Sequence, residues 1–389
     1  MKKKDKGGKL NIVVSGSPFH GNFGSMAMVV ATIKKMSSAF PEATFYKGSI
    51  FKNEDIRNYR KVFSNKKLNI YGFNGERFSI KLTAPLLLFF SVPFFRKADL
   101  IIEVPGEIPS DISLFSQFSR FLLAKIFNKP LIIFGCSLGP YKHTFTEYVA
   151  KKVFNNTDLL IIRERQTAKY LDKLGVVNYH LTADTAFLLK NQKSKDTKEI
   201  IDINKPYIGL SIKGPYFSFS NYERIIMKTI EFLLNETKEN ILVIPHSQDD
   251  ICVSNKVFRQ ANNSRVRILK NNELTPEELK EIISHSSFYI GSRVHSSIAA
   301  VSNRVPTIFL IPRNDHRGRG TMKFFDLDQV VVDPSKEVTP TIRKIVNVFK
   351  QKDKIERKII ENLSKVKQLS RENFILLSKF IKQTCQNDK

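Results

Sequence analysis

The 389-residue sequence contains no tryptophan and only three cysteines, Cys136, Cys252 and Cys385. The cysteines stand far apart without a CxxC pair, which excludes a cysteine-based zinc module and a disulfide framework and fits the cytosol. Acid is scarce as well: 37 Asp and Glu face 63 Lys and Arg, a formal net charge of +26. That excess draws anions from a distance. It does not choose among nucleic acid, an anionic membrane surface and a small phosphorylated substrate, and a Lys-, Asn- and Ile-rich composition also follows from genome base composition alone. Long apolar runs are missing too. The most apolar stretch, LTAPLLLFFSVPFF at residues 82–95, is shorter than the ~20 residues a spanning helix needs and carries prolines. It reads as a buried core helix or as a segment touching a membrane surface. The basic start MKKKDKGGKL runs straight into NIVVSGS, without the apolar region and small-residue cleavage site of a signal peptide. A cytoplasmic protein is expected, with peripheral contact at the inner membrane face as its variant.

What is present is apolar sequence in short pieces. Hydrophobic residues make up 42% and phenylalanine alone contributes 31, enough for two cores, and the length exceeds what one core usually organises. Apolar runs of strand length at 11–15, 100–103, 131–135 and 159–162 alternate with helix-period segments at 26–37, 112–127 and 165–174. The rhythm restarts with strands at 207–212, 241–244, 288–290 and 307–310 and helices at 221–234 and 276–285. Such alternation predicts parallel sheets flanked by helices. The polar stretch KNQKSKDTKEIIDINK, 190–205, reads as the linker. The expected architecture is α/β: two doubly wound Rossmann-like domains, 1–195 and 196–337, with a cleft between them, and a basic helical tail, 338–389. Ligands of open α/β sheets sit at the carboxyl ends of the strands, so chemistry is sought there.

The most informative segment is EELKEIISHSSFYIGSRVHSSIAAVSNRVPTIFL, residues 277–310. A helix and a strand lead into Gly291-Ser292-Arg293-Val294-His295, which opens a second helix. Amides at a helix start favour an anion, and Arg293 adds a cationic fork there. His295 is placed to exchange a proton with a bound anion near neutral pH, or simply to cap the helix. The residues alone leave both readings open.

This segment, with Arg304-Val305-Pro306 after it, resembles the GSR[LV]H signature of polysaccharide pyruvyl transferases. Further blocks are similar in order and spacing: KPLIIFGCSLGPYK, LLIIRERQTAKYLDKLGV, LTADTAFLL, IGLSIKG and VIPHSQDD. The resemblance covers most of residues 11–325. It implies a glycosyltransferase-B-like fold binding phosphoenolpyruvate between its halves, with no metal or redox cofactor. By the same resemblance Arg163 and Arg293, with Ser292, would hold the donor's carboxylate and phosphate, and His295 would be the general acid. The rival reading of Arg163 is an ion-pair residue for Glu164 or Asp184, and Arg165 starts the following helix. Asp184 either orients Arg163, serves the acceptor or closes an Asx-turn. His246 with Asp249 lies at a strand's carboxyl end, where capping by the Asp is the plainer reading. The resemblance places a basic donor-binding residue among Arg313, Arg317, Arg319 and Lys323 without singling one out.

The sequence departs from the family in two places. Where relatives show Gly-Asp-Glu-Ala, this chain has His20-Gly21-Asn22-Phe23-Gly24-Ser25-Met26-Ala27 and keeps only the Gly-Asn, with Asn22 a candidate contact. Where relatives tend to show Gly-Gly-Gly, it has Val104-Pro105-Gly106-Glu107. Both changes fall in the N-terminal half, where the sugar acceptor, a lipid-linked oligosaccharide among the candidates, is expected. One rival is a nucleotide-sugar glycosyltransferase of the same fold, but no Glu stands at a convincing place after the GSRVH helix. Another is a nucleic-acid binder, but no recognised module and no aromatic-basic interleaving appears, so no nucleic-acid partner is expected.

Overall fold

A computed structural model describes residues 10–63, 68–74, 80–108, 110–193, 206–270 and 274–387. Most of the expected linker, from residue 194 on, and nearly all of the basic N-terminal start lie outside the described residues, as do the side chains of residues 80–86 and of Cys385. The chain divides into two compact units. The first comprises Met1–His20, Met28–Thr185 and Leu369–Lys389, and the second comprises Gly21–Ala27 and Ala186–Gln368. The second unit thus begins ten residues before the expected 195/196 boundary and includes a short early piece of chain. The tail expected as a separate element is shared out between the units at residue 368.

In the first unit the strands are β1 (Asn11–Gly16), β2 (Thr44–Ser49), β3 (Leu68–Gly72), β4 (Leu100–Val104), β5 (Glu107–Ile108), β6 (Leu131–Leu138), β7 (Leu159–Ile162) and β8 (His180–Leu181). They run parallel in the order β3-β2-β1-β4-β6-β7-β8, with β5 paired to β6. Every residue of β4, β6 and β7 is buried, as strands covered on both faces must be, and this is why they read as unbroken apolar runs. The helices are α1 (Phe23–Ala39), α2 (Lys52–Val62), α3 (Ile80–Lys97), α4 (Asp111–Ile126), α5 (Thr144–Asn155) and α6 (Arg165–Leu174). Phe95, Ala98, Leu123 and Ala124 of the α3–α4 layer close a core over Val13, Ile101 and Leu131. Gly175, at φ +73°, ends α6 in the left-handed conformation that helix C-termini favour.

The second unit carries β9 (Tyr207–Ser211), α7 (Tyr222–Glu236), β10 (Asn240–Val243), α8 (Gln248–Ala261), β11 (Val266–Ile268), α9 (Pro276–Ser284), β12 (Ser286–Gly291), α10 (Val294–Val301), β13 (Thr307–Leu310), α11 (His316–Met322), β14 (Val331–Val332) and α12 (Val338–Lys350). Its parallel order is β11-β10-β9-β12-β13-β14. The chain leaves β9 toward one edge and returns at β12 toward the other, so the loops after β9 and β12 flank the point where the winding reverses. In open α/β sheets that point is the usual ligand position. The Thr275 hydroxyl accepts from the Glu278 amide while Glu278 reaches back to the Thr275 amide, a capping box that sets where α9 begins. Phe349 of α12 packs edge-on against Phe232 of α7 and Phe288 of β12. The last helix, α13 (Lys352–Asn387), buries Ile355, Ile359, Leu363 and Val366 and, further on, Leu377 and Ile381.

Candidate functional site

The second unit gathers polar side chains at the carboxyl ends of its central strands. A Cβ on Gly291 would stand 2.0 Å from Ser297 Oγ and 2.9 Å from the Tyr289 ring, so only glycine lets α10 start tight against the end of β12. Arg293 occupies the N-cap position of α10 in extended conformation. Its guanidinium grips Asp250 with both ends of the fork, Nε donating to Oδ2 at 3.1 Å and Nη2 to Oδ1 at 2.6 Å. Asp250 is fully buried and also accepts the Gly214 amide at 2.9 Å and the His246 amide at 3.3 Å. One carboxylate therefore ties together the segments that follow β9, β10 and β12. Sequence reading named its neighbour Asp249, whose side chain is 70% exposed. Asp250 was missed, because a carboxylate in the first turn of a helix reads as dipole compensation.

Ser292 is buried, its amide donating to the Ser211 carbonyl and its hydroxyl accepting from Tyr222 OH at 2.7 Å. It fixes the loop from behind. The amides of the first α10 turn have no intrahelical acceptor and carry the positive end of the helix dipole. Arg293, 13% exposed in its side chain, brings its guanidinium to the same end, with its charge balanced by Asp250 and its Nη1 edge unused by that pair.

His295, half-buried in that first turn, lies against Gly24. A Cβ on Gly24 would meet His295 Nδ1 at 2.4 Å and its Cβ and Cγ at 2.6 Å. Asn22 positions this glycine. Its Oδ1 accepts the Gly24 and Ser25 amides at 2.9 and 3.4 Å, capping α1, while the Phe23 amide donates to the His246 carbonyl and the Gln248 amide to the Gly21 carbonyl. Asn22, expected on the acceptor side of an N-terminal domain, thus stands in the second unit, where it caps the turn whose Gly24 meets His295.

His246 is 4% exposed, its ring 5.9 Å from that of Phe23, and its Nδ1 has no hydrogen-bond partner among the described residues. Burial, then the charges of His295 and Arg293, hold its pKa well below the ordinary histidine value, so the ring is neutral at pH 7. His246 and His295 line one small cavity with Phe23, Gly24, Lys280 and Ala299. Lys280 Nζ donates to the Leu189 and Ala186 carbonyls at 2.6 and 3.4 Å. Burial, and secondarily Lys367, lowers it to about 7, a buried amine that sequence reading had no signal to find.

The basic run after β13 sorts by its partners. Arg317 binds Asp315 through Nε at 2.8 Å and Nη2 at 2.5 Å. Burial pushes the Asp315 carboxyl up, but Arg317, with Lys213, more than offsets this and leaves it below its usual value. Lys213 stands 4.3 Å from the Tyr216 ring centre. Arg317 and Arg293 both act electrostatically on Tyr216, whose hydroxyl is raised mainly by burial. Arg319 acts instead on Lys344 of α12. Arg313 is exposed, and Lys323 lies in a 3-10 turn after α11.

Arg163 and Asp184 belong to the first unit. Arg163, 4% exposed after β7, donates from Nε to Ser137 Oγ at 2.8 Å and from Nη1 to Asp184 Oδ2 at 2.6 Å, with Glu164 at 3.7 Å. The Asp184 carbonyl accepts Ser370 Oγ at 2.7 Å. In this structure Arg163 is the centre of a buried ion-pair network, and Arg165 is the first residue of α6. Cys136 is buried, its thiol pushed up by that burial. Among the described residues no group of three or more His, Cys, Asp and Glu could hold a metal ion.

Comparison with known proteins places the chain. The family model for polysaccharide pyruvyl transferase matches residues 22–314. The amylovoran biosynthesis protein AmsJ of Erwinia amylovora is 22% identical over 318 residues, covering 75% of each protein. Among solved structures, a UDP-GlcNAc 2-epimerase from Neisseria meningitidis, bound to UDP-GlcNAc, aligns with TM-score 0.63 at 12% identity, over 96% of this chain and 99% of that one. Sucrose-phosphate synthase from Thermosynechococcus elongatus aligns with TM-score 0.60 at 12% identity, over 96% and 100%. These likenesses show the expected fold, two parallel-sheet α/β units of glycosyltransferase-B type with a helical C-terminal end.

Proposed function

The chain belongs to the polysaccharide pyruvyl transferase family, and from that premise we propose that it transfers the enolpyruvyl group of phosphoenolpyruvate to a sugar as a cyclic ketal. The observation that carries the reading is the pairing at the start of α10. Arg293 stands at a helix N-terminus with its fork oriented by buried Asp250, and His295 follows two residues on beside Gly24. A small molecule that is mostly anion suits such a place, and a proton donor next to it suits protonation of an enol phosphate.

In this mechanism His295 protonates the methylene carbon, which becomes a methyl group and leaves C2 with oxocarbenium character. A sugar hydroxyl adds to C2 and gives up its proton to the His295 imidazole, which restores the acid. The C2–O bond to phosphate then breaks, and a second hydroxyl of the same sugar closes the ketal, its proton leaving with inorganic phosphate. Arg293 and the α10 amides stabilise charge on the departing phosphate. Arg317, which shares the surroundings of Tyr216 with Arg293, is the second cation we assign to the donor. Neutral His246 adds no competing cation. The chemistry calls for no cofactor. A phosphoenolpyruvate donor implies a cytoplasmic reaction on a sugar of the polysaccharide or of its lipid-linked precursor.

The test is turnover with phosphoenolpyruvate and a panel of diol-bearing glycans in D2O. Release of phosphate with one deuterium in each new ketal methyl group supports the mechanism. A methyl group without solvent deuterium contradicts protonation at carbon, and turnover of a nucleotide sugar in place of phosphoenolpyruvate contradicts the donor.

A further inference from the structure

We propose that the outer faces of α3 and α4 form a membrane-contacting surface that seats on an anionic bilayer. The two helices lie side by side on one face of the first unit's sheet, and their inward residues close the core over Val13 and Ile101. Among the described side chains, five of their outward ones are large and apolar where solvent-facing helices are ordinarily polar. On α3, Phe89 is 73% and Phe90 43% exposed; on α4, Phe115 is 46%, Leu122 43% and Ile126 74% exposed. Phe115, Leu122 and Ile126 are spaced by seven and four residues, so they share one stripe of the helix. These five are half of the ten large hydrophobic side chains exposed among the described residues, which separates a patch from the scattered exposure normal for a soluble surface.

The charge around the patch identifies the occupant. The α3 sequence IKLTAPLLLFFSVPFFRK contains no acid and ends in Arg96 and Lys97, both exposed. On α4, Lys125 is exposed beside Ile126 and pairs with the half-exposed Asp158 at 3.5 Å, and the only acid in the helix itself is Asp111, at its far end. Apolar side chains with a cationic border, on a chain of net charge +26, match the acyl boundary and anionic headgroups of a bilayer. No helix among the described residues is long and apolar enough to cross a membrane, so contact of this kind is peripheral. The inference does not depend on the reaction at α10: a membrane-bound protein without pyruvyl transfer, and an active enzyme without membrane affinity, are distinguishable results.

The experiment is flotation of the full chain with vesicles of phosphatidylglycerol and phosphatidylcholine, compared with phosphatidylcholine alone. Each phenylalanine or isoleucine that enters the acyl boundary contributes about tenfold in partitioning. The expected result is flotation with the anionic vesicles at physiological salt, weakened by high salt and by Arg96→Gln with Lys97→Gln. Phe89→Ser with Ile126→Ser should lower it by about a hundredfold with an unchanged melting curve, since neither residue supports the core. Wild-type protein that stays unbound by anionic vesicles overturns the proposal, and so does a Phe89→Ser, Ile126→Ser protein that floats like wild type. A stable dimer that the same two substitutions split into monomers, with no flotation, overturns it in favour of a second copy as occupant.

Discussion

Replacing Gly24 by alanine adds one methyl group at the place where α1 begins and His295 rests. Its new carbon would lie 2.4–2.6 Å from three atoms of His295, against the ~3.5–4.0 Å at which carbon atoms attract. Either the imidazole or the first turn of α1 must therefore withdraw by about 1 Å. Forced repacking of this kind costs about 1–3 kcal/mol, and the better helix propensity of alanine offsets about 0.5–1 kcal/mol. Net stability should fall by no more than about 2.5 kcal/mol, leaving a folded protein. Catalysis has less tolerance, because a misplacement of about 1 Å at a reacting group costs on the order of a hundredfold. The expected result is a kcat for pyruvyl transfer lower by about a hundredfold, a KM for phosphoenolpyruvate close to wild type and a urea midpoint lowered only modestly, with the protein still folded. Ser25→Ala, in the same turn, serves as the control and should retain full rate. A Gly24→Ala enzyme within about twofold of wild-type kcat would refute the role given to the His295 position.

Asp250→Ala removes the carboxylate that holds Arg293, Gly214 and His246, and should destabilise the protein by about 3–5 kcal/mol in urea unfolding; an unchanged midpoint would mean the three segments are held by other contacts. Arg163→Met leaves Asp184 charged and buried, with a similar loss, which Asp184→Leu in the same chain should largely restore. Lost activity with intact stability would instead put Arg163 on substrate. Buried His246 stays neutral while the unfolded chain takes up a proton near pH 6.5. Its contribution to stability is therefore undiminished above that pH and falls progressively below it. His246→Gln should flatten that part of the stability profile, and parallel profiles for the two proteins would contradict the buried neutral ring.

Where the sequence was readable, the reason is burial. The runs at 11–15, 100–103, 131–135 and 207–212 stand out because their strands are covered on both sides. Strand β2, TFYKGS, was not visible because Lys47 interrupts it, and Lys47 is 2% exposed all the same. It donates to the Gly48 carbonyl, and burial lowers its pKa. A buried lysine is a tertiary fact that no apolar pattern announces. Helix α2 is polar along most of its length and offers little apolar periodicity. At the site, Gly291 to His295 was legible because a strand, a glycine and a helix start are all local. The support of that segment is not local. Asp250 lies on α8 and Gly24 on α1, and neither the fork on Arg293 nor the ring against Gly24 follows from residue spacing. The boundary near residue 185 was hidden for a related reason: the 3-10 turn at Thr185–Leu188 is apolar, and the polar stretch that reads as a linker comes after it.

The central claim is that the start of α10 binds phosphoenolpyruvate through Arg293 and works on it through His295. Isothermal calorimetry of the full chain with phosphoenolpyruvate, on wild type, Arg293→Lys and His295→Asn, tests it most directly. The account predicts binding by wild type, a loss of at least about tenfold for Arg293→Lys, whose lysine cannot reproduce the planar fork, and near-normal binding by a catalytically silent His295→Asn. Wild-type protein that gives no heat with phosphoenolpyruvate but binds a nucleotide sugar would contradict it.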